Sequence, residues 1–448
     1  MKSYNKMNQP RNVILLSIDA LRADHLSHHG YDRDTARFLN ELAETHLTYT
    51  SAISPSSHTR EAVPSILTGQ HPGTFAKNGY RLTESSIAEI LSDRGYATAG
   101  YHSNPYASRA YDYGPGFDEY DDDLLLGQNR LFALAQRAID KFVLKKGEYH
   151  ARADEINEKS LAWIDSLDDE PFFLWNHYMD VHGPYNPPEE FLHFTDTRLS
   201  NSEAQELYQK TIHAPDEITE EEHDLLIDLY DDEIRYLDAQ LRAFYEELDT
   251  RNMLEDTLVI ITADHGDAFD EWGYYTHPRY LHEPLLHVPL LILHPNEPNE
   301  TIDSLVSLLD LVPTMLEWAN VSVDDFPGEV LLDADGTPRN IDREVVFASA
   351  HSDEGTDIRK FVARGRNWKV QYNRDVTDGS LLEETVFNID GREAEIAEQP
   401  TDSPELETLR DRLDAHCQQR LSDAEFTPDT DEETTEEIDD RLEALGYK

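Results

Sequence analysis

The sequence predicts an α/β protein with a large, mainly parallel β-sheet covered by helices on both faces. Two apolar runs, at 13–18 and 258–263, are rich in β-branched and aliphatic residues and bounded by polar ones, which is typical of buried parallel strands. A third run, at 171–175, has the same character. Apolar residues between 227 and 248 recur in steps of three and four, which predicts an amphipathic helix that packs on the sheet. The alternation of strands and helices favours the parallel arrangement.

Shorter elements complete this pattern. A helix is predicted from about residue 85 to 94, followed by a strand at 96–101. After about residue 335 the pattern changes to short strands, including 360–363 and 368–372. The chain therefore divides into a large N-terminal unit and a smaller C-terminal one.

The charge of the chain is extreme for a folded protein. Its 448 residues include 91 Asp and Glu against 38 Lys and Arg, a net charge of −53. The acidic residues are spread along the chain and the apolar runs are intact, so disorder does not explain the composition. We expect a halophilic protein whose carboxylates keep it hydrated and dispersed in concentrated salt. Such a surface argues against nucleic acid or an anionic membrane as a partner.

Cysteine and hydropathy limit the cellular context. The single cysteine, Cys417, excludes an intramolecular disulfide. Residues 1–11 are polar, and the apolar run after them is too short to span a membrane. We therefore expect a cytoplasmic protein; the oligomeric state is left open.

The strands predicted at 13–18 and 258–263 are each followed by a carboxylate. Asp19 follows the first run, and Asp264 and His265 follow the second. Ligands of open α/β sheets bind beyond the carboxyl ends of the strands, so these three side chains are expected to meet, and their chemistry suggests a divalent metal. The alternatives are a helix N-cap for Asp19 and a loop cap with a surface histidine for the other pair.

Several motifs, in the order of that family, resemble the sulfatase-like branch of the alkaline phosphatase superfamily. The resemblance covers most of residues 11–395. It rests on the following segments: LLSIDALRADHL with Asp19, the Ser/Thr-rich turn that closes with Leu67-Thr68-Gly69, HYMDVHGPY at 177–185, TADHGD at 262–267, and the pair LHVP at 286–289 and DLVPT at 310–314.

The resemblance implies the architecture of that superfamily, with a small C-terminal antiparallel subdomain. It divides the chain into a catalytic α/β domain at 1–334, a small α+β subdomain at 335–395 and an acidic helical segment at 396–448. We expect the last segment to be partly mobile, because residues 421–437 are acidic and rich in Thr.

The nucleophile turn departs from the pattern of classical sulfatases, in which a Cys or Ser becomes formylglycine. Counting back from Leu67-Thr68-Gly69 places Thr59 at the nucleophile, with Glu61 and Val63 where the pattern has proline and arginine. Threonine has no route to formylglycine, but it is the nucleophile of phosphate-handling relatives. An alternative register uses Ser56, four residues before Arg60. A purely structural Ser/Thr turn is the third interpretation.

The resemblance also implies roles for further residues. His182 and His277 resemble histidines beside the ester oxygens, and both are assigned catalytic and substrate-binding roles. His177 is assigned to substrate binding. Arg60 is a candidate for holding an oxyanion, against the alternative of a surface salt bridge. For His182 and His277 the alternative is a structural loop histidine.

The implied ligand set is Asp19, Thr59, Asp264 and His265, holding one divalent metal ion. Because imidazole is among the ligands, Mn or Zn is favoured, with Ca possible. The resemblance implies a metal-dependent hydrolase of small anionic sulfate or phosphate esters, with phosphate preferred because of Thr59. The alternatives are a soluble phospho-group transferase, a classical sulfatase with formylglycine from Ser56, and a non-catalytic metal-binding relative.

Overall fold

The structure is a computed structural model of the chain. It describes residues 11–76, 78–123, 150–296, 298–322, 326–351, 358–389, 394–396, 403–421 and 436–446. The mobility predicted for 421–437 falls almost entirely outside these residues.

Sixteen strands are found in the described residues. They are β1 (Asn12–Ile18), β2 (Leu47–Ile53), β3 (Ala97–His102), β4 (Glu119–Asp121), β5 (Phe172–Tyr178), β6 (Thr257–Ala263), β7 (Ala268–Phe269), β8 (Tyr275–Thr276), β9 (His287–Leu293), β10 (Glu300–Ile302), β11 (Val306–Ser307), β12 (Val346–His351), β13 (Ile358–Arg364), β14 (Trp368–Asp375), β15 (Leu381–Asn388) and β16 (Ala394–Glu395).

The α-helices alternate with the strands of the N-terminal part. They are α1 (Arg37–Ala43), α2 (Thr59–Thr68), α3 (Gly73–Ala76), α4 (Ile87–Ser92), α5 (Ala153–Ile164), α6 (Asn201–His213), α7 (Glu220–Thr250), α8 (Glu283–Leu286), α9 (Leu311–Trp318), α10 (Pro404–Leu421) and α11 (Glu436–Ala444). The long helix α7 contains the stretch predicted at 227–248. It begins at a capping box in which Thr219 and Glu222 satisfy each other's backbone amides.

The large sheet confirms the predicted fold class. Its strand order is β10-β2-β9-β6-β1-β5-β3-β4, with β11 paired to β2. All pairings are parallel except those of β9, which runs antiparallel to β2 and β6. The three apolar runs form β1, β5 and β6 at the centre, where the strands are almost entirely buried. Continuous apolar sequence is what a strand covered on both faces requires.

A separate antiparallel sheet follows, in the order β12-β13-β14-β15-β16. Helix α10 packs on it and closes a second core that includes Leu406, Leu409 and Cys417. The small sheet is joined to the large unit: the Ser349 amide donates to the carbonyl of Pro55 at 2.9 Å, and apolar side chains of both parts share a third buried cluster. The subdomain predicted after residue 335 is present, while its boundaries stay a prediction.

None of the helices in the described residues combines the length and the apolar character that a membrane span requires.

Salt is expected to stabilise the fold strongly. The screening length of charges falls from about 10 Å at 0.1 M to about 3 Å at 1 M, so repulsion among carboxylates weakens across that range. Thermal unfolding in a KCl series should therefore give a melting temperature that rises with salt. Sucrose at matched osmolality serves as the control for solute exclusion. A melting temperature that stays flat or falls in KCl would contradict the halophilic character.

Candidate functional site

The central strands deliver three side chains to one point at the carboxyl edge of the sheet. Strand β1 lies between β5 and β6, in a register that pairs Ser17 with both His177 and Thr262. Beyond these pairs the Asp19 amide donates to the carbonyl of Tyr178 at 2.8 Å, and the Asp264 amide donates to that of Ile18 at 3.2 Å. The backbone therefore holds Asp19 and Asp264 side by side.

Asp19, His177 and Asp264 form a cluster suited to a metal ion. One ligand atom of each lies within 4.8 Å of the others, and all three residues are buried. Within the described part of the chain, Asp264 Oδ2 and His177 Nε2 are buried without a hydrogen bond. Two buried, unsatisfied ligand atoms beside a second carboxylate fit a divalent cation, which would satisfy both. His177 thus lies in the candidate ligand cluster, with Nε2 3.3 Å from Asp19 Oδ2. Its assignment to substrate binding stays a prediction.

His265 completes the cluster from the same turn as Asp264. Its Nε2 lies 3.5 Å from Asp19 Oδ1 and 3.6 Å from Asp264 Oδ2. Its Nδ1 lies 2.8 Å from the Gly266 carbonyl, so Nδ1–H donates there and Nε2 faces the cluster as an acceptor.

The two carboxylates differ in their electrostatic surroundings. Burial, followed by the charge of Asp19, raises the pKa of Asp264 well above its ordinary value. Burial also acts to raise the pKa of Asp19, but the imidazoles of His182, His177 and His265 outweigh it and hold that pKa below its usual range. Ionising both carboxylates together is therefore unfavourable here, and a cation between them would stabilise that state.

Thr59 is the first residue of α2, and its hydroxyl points into this cluster. Oγ1 lies 3.0 Å from His265 Nε2 and 3.3 Å from Asp19 Oδ2. His58 caps the helix, with Nδ1 accepting from the Arg60 amide at 3.1 Å. The Thr59 side chain therefore lies next to the candidate metal ligands and at the positive end of a ten-residue helix. The helix end favours an anion in front of Thr59.

Ser56 lies in a different environment. Its hydroxyl donates to Glu61 Oε2 at 2.7 Å, and Glu61 is fully buried. The second oxygen of Glu61, Oε1, accepts from Arg279 Nε at 3.1 Å. The Ser56 side chain thus takes part in a polar network behind the start of α2.

His182 and His277 lie together beside the cluster. Their ring centroids are 4.8 Å apart, and the ring of His277 is 4.6 Å from that of His265. His277 Nδ1 lies 3.0 Å from Asp267 Oδ1, while the hydroxyl of Tyr185 donates to the other oxygen of Asp267. This chain of contacts fixes the ring of His277.

Burial sets the protonation of these groups. It lowers the pKa of His277 to about 3, with His265 adding to the effect, and lowers the pKa of His182 to about 4. Burial raises the pKa of Asp267 to about 6. Near neutral pH Asp267 is therefore ionised and accepts Nδ1–H of a neutral His277, which leaves Nε2 of His277 as an acceptor.

Arg60 follows the nucleophile position but is held among aromatic rings. Its guanidinium carbon lies 5.4 Å from the ring centre of Tyr106, 5.6 Å from Tyr80 and 5.9 Å from Tyr111. Nη2 donates to the Gly79 carbonyl at 3.0 Å. The oxyanion contact and the surface salt bridge considered from the sequence stay predictions.

Sequence reasoning missed Asn104, Asp267 and Tyr185. Asn104 Nδ2 donates to Asp19 Oδ2 at 2.7 Å. The signal for Asn104 was its place just after the β3 strand, at the same edge as Asp19. Asp267 and Tyr185 belong to motifs already recognised, TADHGD and HYMDVHGPY, but only the structure brings them together.

Comparison with known proteins gives the family of the chain and structures that share its fold. A sequence model of the sulfatase family matches residues 11–321. The chain belongs to the sulfatase family. A phosphonate monoester hydrolase of Agrobacterium radiobacter shares its fold: the two superpose with a TM-score of 0.70 at 19% identity, covering 93% of this chain and 96% of that one. A structure solved with D-glucosamine-2-N,6-O-disulfate as its substrate superposes with a TM-score of 0.72 at 17% identity, covering 95% and 100%.

The sulfatases with similar sequences match only part of their own length. The arylsulfatase of Clostridium perfringens is 22% identical over 70% of this chain and 76% of its own length. Arylsulfatase K of Rattus norvegicus is 28% identical over 38% of this chain and 31% of its own. A putative extracellular sulfatase, a Sulf-1 homolog of Caenorhabditis elegans, is 26% identical over 53% and 36%. The match with the last two spans about a third of their length.

Removing the Tyr185 hydroxyl is expected to lower activity through His277. Tyr185→Phe deletes the donor to Asp267, so His277 is held less firmly, and we expect about a tenfold loss in kcat/KM with a destabilisation of about 1–2 kcal/mol. Tyr31→Phe is the matched control, because Tyr31 donates to the buried Asp231 at 2.7 Å in the same way. Equal effects of the two variants on kcat/KM would contradict the role of Tyr185.

Proposed function

We propose that this sulfatase-family protein is a metal-dependent hydrolase of small sulfate or phosphate esters, with Thr59 as the nucleophile and phosphate esters preferred. The observation that carries the proposal is the position of Thr59 Oγ1, 3.0 Å from His265 Nε2 and 3.3 Å from Asp19 Oδ2, at the N-terminus of α2. The placement of Ser56 against Glu61 supports Thr59 over the formylglycine alternative.

Asp19, His177, Asp264 and His265 would hold the metal, with Thr59 beside them. A divalent ion there supplies Lewis-acid stabilisation of charge and lowers the pKa of a hydroxyl bound to it. Two imidazoles and two carboxylates favour Mn or Zn over Ca, which prefers oxygen ligands alone.

The side chains of the protein account for the remaining steps. Thr59 Oγ attacks phosphorus as the bond to the leaving alkoxide breaks, and water later displaces the threonine oxygen from the phosphoryl group. His277 is arranged as a proton acceptor, because Asp267 accepts Nδ1–H and the lone pair of the neutral ring is then on Nε2. The positive end of α2 would stabilise the charge on the non-bridging oxygens. His182 stands beside His277 to contact the ester.

A substrate and metal matrix tests the proposal. The purified protein is assayed in molar KCl with Mn²⁺, Zn²⁺, Ca²⁺ or EDTA against aryl sulfates, phosphomonoesters, phosphodiesters and phosphonate monoesters. We expect metal-dependent turnover that is fastest on a phosphorus ester. Turnover of sulfate esters alone would reject the phosphate preference, and equal rates in EDTA and in metal would reject the metal role. Adding an alcohol acceptor separates hydrolysis from transfer.

A further inference from the structure

The residue after the candidate metal ligand Asp19 has an uncommon backbone conformation. Ala20 lies in the left-handed region, with a φ of +62°, and it is completely buried. Residues other than glycine avoid this region because their Cβ atom comes too close to the following carbonyl oxygen, and alanine has no polar side chain that could compensate. Contacts with other parts of the protein must therefore hold Ala20 in this conformation.

The left-handed turn at Ala20 affects the direction of both carboxylates of the cluster. It follows Asp19 directly, and it brings the Ala20 amide to 3.4 Å from Asp264 Oδ1. The His265 amide donates to the same oxygen at 2.9 Å. Because Oδ1 is bound in this way, Oδ2 of Asp264, which is buried without a hydrogen bond in the described part of the chain, is the oxygen that faces the cluster. The conformation of Ala20 therefore helps to set which carboxylate oxygens a metal ion would meet.

One hydroxyl group binds both sides of this turn. Tyr230 Oη donates to the Ala20 carbonyl at 2.8 Å and accepts from the Arg22 amide at 2.9 Å. All three residues are buried, and Arg22 retains only 4% of its accessible surface. Neither backbone group can therefore exchange this hydroxyl for bulk water while the turn stays closed. The two hydrogen bonds offset the conformational cost of Ala20.

The ring of Tyr230 is fixed by its neighbours. It extends from the middle of α7 and packs on Tyr185, Phe269 and His25, whose ring centroids are 5.5, 5.0 and 4.9 Å away. Close packing on three aromatic rings leaves the Tyr230 ring little freedom, so its hydroxyl is presented to the turn at a fixed position. Replacing Tyr230 by Phe keeps the ring and removes only the hydroxyl, which makes this variant a specific test.

We propose that Tyr230 is a positioning residue for the metal ion: through the left-handed turn at Ala20, its hydroxyl directs Asp19 and Asp264 at the ion. This inference rests on the metal site of the proposed function. Groups that bind behind metal ligands typically change metal affinity by about ten- to a hundredfold when they are removed. Tyr230 contacts the backbone rather than a ligand side chain, so its effect should depend on the conformation of Ala20.

Calorimetric titration of the metal-free protein with Mn²⁺ in molar KCl tests this inference. We expect Tyr230→Phe to bind Mn²⁺ about tenfold more weakly than the wild-type protein. Adding Ala20→Gly to Tyr230→Phe should restore most of the lost affinity, because glycine adopts the left-handed conformation without help from the hydroxyl. Asp264→Asn, which lacks a candidate ligand, measures the binding of Mn²⁺ elsewhere on this acidic protein.

Tyr236→Phe is the matched control for Tyr230→Phe. Tyr236 lies on the same helix, is buried, and donates to Asp154 Oδ1 at 2.9 Å. Both tyrosine variants should lower the melting temperature in EDTA, but only Tyr230→Phe should weaken the binding of Mn²⁺. A Tyr230→Phe variant that is less stable but binds Mn²⁺ as tightly as the wild type would overturn the inference. A loss of affinity that Ala20→Gly does not restore would also overturn it.

Metal binding is measured here without turnover, which separates this inference from the proposed function. A wild-type protein that binds Mn²⁺ more tightly than Asp264→Asn but cleaves no ester would reject the proposed function, and the affinity of Tyr230→Phe would still decide the role of Tyr230. Ester cleavage together with equal Mn²⁺ affinities of wild type and Tyr230→Phe would reject the inference alone. Equal titrations of wild type and Asp264→Asn would overturn both.

Discussion

Replacing Thr59 by alanine is expected to lower kcat for ester cleavage about a thousandfold or more while the protein stays folded. The Thr59 hydroxyl points into the carboxylate and imidazole cluster, so the variant lacks the proposed nucleophile. Steady-state kinetics on the best ester, with metal content determined for each variant, measure the effect. Thr59→Ser keeps a hydroxyl at the same atom and should retain part of the rate.

Ser56→Ala is the matched control for this variant. Ser56 donates to the buried Glu61, so its loss is expected to cost stability, about 1–3 kcal/mol, with a mild effect on turnover. An inactive Ser56→Ala beside an active Thr59→Ala would reject the assignment. In that case mass spectrometry of the peptide carrying Ser56 should show the loss of two hydrogens that accompanies formylglycine.

Asp264→Asn is expected to abolish metal binding and activity without weakening the metal-free fold. Burial and the nearby Asp19 raise the pKa of Asp264, so ionising it costs stability that grows as pH rises above the unfolded-state pKa. A neutral amide removes that cost. Metal content by mass spectrometry should fall with kcat, and thermal unfolding in EDTA near neutral pH should occur at the same or a higher temperature.

A lower melting temperature of Asp264→Asn in EDTA would contradict this account, because it would make Asp264 a structural residue. Asp238→Asn provides the comparison. Asp238 is also a buried acid, with a pKa raised by burial to about 6, but its oxygens accept from the amides of Phe38 and Leu39 at the start of α1. That variant should leave metal content unchanged.

The sequence was sufficient to predict candidate site residues that directly follow a strand. Asp19 and Asp264 could be identified because buried parallel strands read as continuous apolar runs, and their ends share an edge. His177 lies inside a strand that is buried on both faces, so sequence alone does not say which face it occupies. The register that pairs it with Ser17 decides this.

The surroundings of Arg60 could not be predicted for a different reason. The sequence analysis treated the segment around Thr59 and Arg60 as a turn, in which adjacent side chains can point to the same site. The structure has a helix from Thr59 onward, and successive side chains of a helix diverge by about 100°. Arg60 therefore leaves the direction of Thr59 and meets three tyrosines that come from other parts of the chain. Only long-range packing could reveal that environment.

The hydrogen bonds from the small sheet to the start of α2 indicate whether the two parts of the protein can be separated. Ser349 binds the Pro55 carbonyl and His351 binds Glu61, so β12 supports the turn that presents Thr59. A fragment ending at residue 334 would keep every candidate metal ligand but lack this support. Exchanging the C-terminal sheet between relatives would therefore change the turn that presents Thr59 as well, and the two parts must be engineered as one unit.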